Sequence, residues 1–72
     1  MKYAIVIERS AKAYGAYVLD LPGCAAVAET ESEVRRLIRE AVVLHLNELR
    51  LQGLDVPEPS SVVDYIDVAP AA

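Results

Sequence analysis

DLPGCAAVAETESEV, from Asp20 to Val34, is the stretch that decides how this chain folds. A strand-like alternation runs into it and a long helical pattern runs out of it. Pro22 fixes its own φ, and Gly23 admits backbone conformations that other residues resist, so the incoming strand must end and turn here. Cys24 to Ala28 is long enough for a short third strand. Thr30 then opens a helix. Glu33 follows three residues later, the spacing of a capping box, in which the threonine oxygen takes a free backbone N–H and the glutamate reaches back. Glu31 and Glu33 also suit the positive end of the helix dipole.

Upstream, Lys2 to Glu8 reads as a strand, with Tyr3, Ile5 and Ile7 on one face and Ala4 and Val6 on the other. Arg9 to Ala13 is a polar connection of hairpin length. Tyr14 to Leu21 is a second strand, with Tyr17, Leu19 and Leu21 alternating against Ala16, Val18 and Asp20, and the two should pair antiparallel. Downstream, Val34, Leu37, Ile38, Ala41, Val42, His45 and Leu49 recur at helical spacing. Gly53 is the expected stop, which makes the helix about 30 Å long. Residues 54–61 form a linker stiffened by Pro57 and Pro59. Val62 to Val68 alternates as a last strand, and Pro70 to Ala72 is a tail. The order β-β-β-α-β predicts an α+β fold: an antiparallel sheet of three to four strands with one long helix on one face.

Seventy-two residues make one domain, 1–72. A chain of this length has a thin core, yet 54% of its residues are hydrophobic. One helix covers only one face of a sheet, and both faces of these strands carry apolar side chains. On the helix, Val43 and Leu46 point away from the main stripe. The surplus predicts self-association, as a dimer or tetramer, with Val6, Val18, Val43 and Leu46 as the candidate interface.

Seven Lys and Arg stand against eleven Asp and Glu, a net charge of −4, with a pI of about 4.8. A phosphate backbone wants a basic stripe, so direct nucleic-acid binding is disfavoured. A basic protein is the better match. The single cysteine excludes an intrachain disulfide and any multi-cysteine zinc site. The apolar run at the N-terminus is short and soon interrupted by charge, unlike a signal peptide. No run approaches the ~18 apolar residues of a membrane span. The expectation is a cytoplasmic protein.

Little in the chain suggests chemistry. Cys24 and His45 are the only thiol and the only imidazole, the residue types of a nucleophile–base pair. Cysteine more often packs as a small hydrophobe, and His45 lies within the helix stripe between Ala41 and Leu49. Glu8, Asp20, Asp64 and Asp67 lie on strands, but no spacing forces them to converge on a metal. Arg35, Arg36, Arg39 and Arg50 share their helix with acids, and Arg35 can pair with Glu31 and Arg36 with Glu40 at i,i+4. No catalytic residue, metal ligand or cofactor is expected.

These residues in this order resemble the HicB-type antitoxins. The likeness rests on YAIVIE (residues 3–8), YGAYVLDLPGC (14–24), the Thr30-x-x-Glu33 cap, EAVVLHL (40–46) and Pro57-Glu-Pro59. It runs from about residue 3 to residue 68, and Asp-Leu-Pro-Gly-Cys is its most specific part. Ala28 stands where the family usually has glycine, and Val34 where it usually has alanine. The resemblance implies a partial RNase-H-like fold and a non-enzymatic role. HicB-type proteins bind HicA toxins, small basic proteins that cleave mRNA with a histidine, and cover the toxin's active surface. Asp20, Leu21, Pro22 and Gly23 are the candidate partner contact. Many such antitoxins carry a further DNA-binding domain. This chain stops at Ala72, so no operator binding of its own is expected. The alternative is an orphan oligomeric regulatory or small-ligand-binding module of the same fold, without a toxin partner.

Overall fold

The structure is a computed structural model and describes residues 1–70. Strands β1 (Ile5–Arg9), β2 (Tyr14–Val18) and β3 (Ala25–Ala28) are followed by helix α1 (Glu31–Leu51). The sheet has the order β1-β2-β3, antiparallel throughout, and α1 packs on β2 and β3. The α+β fold with one long helix is as expected, with a three-stranded sheet.

The Asp20–Val34 stretch acts as the corner. Cys24 N–H donates to Leu21 C=O at 3.1 Å, with Pro22 second and Gly23 third at φ +83°. A type II turn asks for this arrangement, because its third residue needs positive φ. Val18 N–H donates to Cys24 C=O at 3.2 Å, carrying β2 across to β3. At the helix start, Thr30 is extended, and its Oγ1 accepts from Glu33 N–H at 3.2 Å. Of the capping box, the threonine half is present. At the other end Gly53 has φ +69°. Leu54 N–H reaches Leu49 C=O at 2.9 Å and Gly53 N–H reaches Arg50 C=O at 3.1 Å, a Schellman closure.

The register corrects the assignment of faces. Ile5 lies opposite Val18 and Ile7 opposite Ala16, while Val6 lies opposite Tyr17. Directly opposed residues share a face, so Ile5 and Ile7 join Ala16 and Val18 beneath the helix. Val6, Tyr17 and Leu19 belong to the open face. Val18 is only 3% exposed and Leu46 only 8%, and both are core rather than interface residues. Leu46 is buried because it continues the i,i+4 row of Ile38 and Val42. Ala16, Leu21, Cys24, Ala28, Val34 and Ile38 complete the buried core. Ala28 and Val34, where the chain departs from the family's usual residues, both pack inward.

No strand forms at Val62–Val68. Among the described residues that segment has no regular secondary structure. The linker before it is tied to the domain: Tyr3 Oη donates to Pro57 C=O. Residues 71 and 72 of the expected tail lie outside the described residues.

Candidate functional site

The corner divides its four candidate contact residues between separate tasks. Leu21 is 0% exposed and cannot touch a partner. It is the first residue of the turn, and its side chain joins the buried core with Val18, Cys24, Val34 and Ile38. Pro22 and Gly23 are exposed. The Asp20 carboxylate is already occupied by the chain's own serines. Its Oδ2 accepts the backbone N–H groups of Ser60 and Ser61, each at 2.9 Å. Its Oδ1 accepts their hydroxyls at 3.2 and 2.7 Å.

Four donors converging on one carboxylate favour its ionised form. The backbone N–H of Ser61, then that of Ser60, then the two hydroxyls bring Asp20 down to about 2 from an ordinary 3.8. Desolvation opposes them weakly. Asp20 is therefore a clasp that fixes where residues 62–70 leave the domain. Two consecutive serines after a Pro-x-Pro stretch offer four hydrogen-bond donors, and that signal could have suggested a carboxylate partner.

Cys24 and His45 line one shallow cleft with Gly23, Ala41 and Leu44. Cys24 is buried and free, and desolvation pushes its thiol up. That shift runs opposite to the one that activates a nucleophilic cysteine. Of the four carboxylates expected on strands only Glu8 lies on one, and the four have different surroundings. Asp20 is the clasp, Glu8 is exposed on β1, and Asp64 and Asp67 lie on the extended segment. Among the described residues no three His, Cys, Asp or Glu side chains come together to hold a metal ion.

The helix arginines pair as the spacing predicts: Arg35 Nε with Glu31 Oε2 at 3.3 Å, and Arg36 with Glu40 Oε1 at 3.1 Å. Both pairs are exposed and contribute little to stability, but they balance the charge of that face. Val43 and Leu44 stand exposed beside Arg39 and Glu40. Val6 is half-buried on the open sheet face, near Tyr17 and Leu19, each 40% exposed. Among the described residues no helix is long and apolar enough to cross a membrane.

Three antiparallel strands, one long helix and a Pro-Gly corner clasped to the segment after the helix define a small α+β domain. Residues 3–70 match the family described as the HicB-like antitoxins of bacterial toxin–antitoxin systems, and the chain belongs to that family. It is also similar to an uncharacterized 14.9 kDa protein from the rep-hol intergenic region of Haemophilus phage HP1 (strain HP1c1). The two are 30% identical over 67 residues, which cover 93% of this chain and 50% of the phage protein. The chain thus spans about half the length of that relative. No solved structure matches the chain.

Proposed function

We propose that this protein acts by binding, as the antitoxin that masks a small, basic, mRNA-cleaving toxin of the HicA type. The observation that carries this reading is membership of the antitoxin family across residues 3–70. The net charge of −4 supports it, since an acidic surface attracts a basic partner and speeds their encounter. Pro22 and Gly23 remain the exposed part of the corner. Gly23 shares a shallow cleft with Leu44 of the helix, so the corner and the exposed helix patch form one continuous contact region. Masking needs no chemistry from this chain, only coverage of the toxin's RNA-binding surface. Self-association as a dimer or tetramer goes with this role, using half-buried Val6 on the open sheet face and exposed Val43 on the helix.

The test is an RNA-cleavage assay with a small basic toxin of the HicA type. Stoichiometric addition of this protein is expected to stop cleavage, and a Leu44→Glu variant is expected to restore it. Undiminished cleavage at a several-fold excess of folded protein would refute the proposal.

A further inference from the structure

Val62–Val68 has the sequence of a strand and no strand partner. Its VVDYIDV sequence is rich in β-branched and aromatic residues, the composition of strands. Val62, Tyr65, Ile66 and Val68 are 81–89% exposed and Val63 is 49% exposed. Among the described residues its backbone makes no hydrogen bond to another backbone group. The segment leaves the domain at a fixed point, because the Asp20 clasp holds Ser60 and Ser61. The molecule is correspondingly extended, with a radius of gyration of 14.7 Å, against about 11 Å for a compact chain of this length.

A matching deficit lies at β1. As the first strand in the order β1-β2-β3 it has a free outer edge. The helix packs on β2 and β3, which leaves Ile5 and Ile7 half-buried beside an open cleft. Arg9 lines that cleft together with the ion-paired Arg35 and Glu31, and Lys2 and Arg39 line the next one along the strand. The segment brings Asp64 and Asp67. The other free edge, β3, is Ala-Ala-Val-Ala followed by Glu29 and offers no cation. In its own chain the segment passes the mouth of the β1 cleft at Tyr65 without bonding to the strand.

We propose that Val62–Val68 adds as a fourth strand to the β1 edge of a second copy of this chain, and that the two copies exchange these strands reciprocally. Pairing satisfies both unpaired edges, buries the exposed apolar side chains and sets the aspartates against the basic flank of β1. The proposal deepens the self-association in the function proposed above by naming the segment and the edge. It needs no toxin.

The experiment is light scattering of the full chain and of a Tyr65→Pro/Ile66→Pro double variant, with amide hydrogen exchange on both. N–H groups alternate in direction along a strand, so one of the two prolines must remove a ladder donor. The segment lies outside the hydrophobic core, so the variant is expected to keep its helix signal. The expected result is a wild-type mass twice 7.8 kDa, with alternate amides protected along 62–68, and a variant at the monomer mass. A variant that stays dimeric overturns the strand exchange while self-association stands. A wild-type protein that is monomeric at every concentration overturns both.

Discussion

Replacing Leu21 by alanine separates two roles for the corner, core plug and partner contact. Leu21 is completely buried and packs with Val18, Cys24, Val34 and Ile38. The substitution removes three carbons, worth about 2.4 kcal/mol at roughly 0.8 kcal/mol each. The cavity left in a rigid corner raises the loss into the range of about 2–5 kcal/mol. A chain of 72 residues has about 4–11 kcal/mol in total, so Leu21→Ala removes a large share of it. At about 4–8 °C per kcal/mol, the midpoint falls by at least about 8 °C. The assay is urea unfolding followed by far-ultraviolet circular dichroism, at one fixed protein concentration because self-association adds a mass-action contribution. Pro22→Ala is the control: Pro22 is exposed, and the change costs no more than about 1 kcal/mol through the unfolded chain. A loss below about 0.5 kcal/mol for Leu21→Ala would refute the core-plug reasoning.

Four further outcomes follow from the geometry at single residues. Asp20 is held at about 2, below its unfolded value, so the clasp's contribution is fully present above about pH 4 and is lost as the pH falls through about 2. Carbon-detected NMR titration of the Asp20 carboxyl checks this, and a midpoint near an ordinary carboxylate would contradict it. Gly23→Ala meets open space but inherits φ +83°, and is expected to destabilise by about 1 kcal/mol. Gly15→Ala, also in open space and without positive φ, is expected to lie within about 0.5 kcal/mol of wild type in the same urea assay. Thr30→Ala removes the acceptor for Glu33 N–H and is expected to cost about 1 kcal/mol, seen as a lower thermal midpoint with faster exchange at the amide of Glu33.

What the sequence revealed was mainly local. The Pro-Gly corner, the Thr30 cap, the Gly53 stop and the two helix ion pairs each depend on residues within four or five positions of one another. What it hid was non-local. Alternation fixes which residues share a face within one strand, but not which face of the next strand they join. The loop at 10–13, closed by Ser10 N–H to Ala13 C=O, sets that parity and brings Ile5 beside Val18. Leu46 was within reach of the pattern, one i,i+4 step beyond Val42, and its burial follows from that row. The Asp20 clasp joins residues 40 and 41 positions apart, a pairing no local rule selects. The 62–68 alternation records a strand's composition, while a ladder also needs backbone pairing, and among the described residues the segment forms none with the free β1 edge of its own sheet.

The toxin-masking role proposed above requires a stable complex with a toxin. It is tested by co-expressing the chain with the product of its neighbouring reading frame and measuring the mass of the purified species by size-exclusion chromatography with light scattering. A stable complex containing both chains, with growth arrest relieved, is the predicted result. A folded homo-oligomer that elutes apart from its neighbour would contradict the claim and favour an orphan regulatory or ligand-binding module.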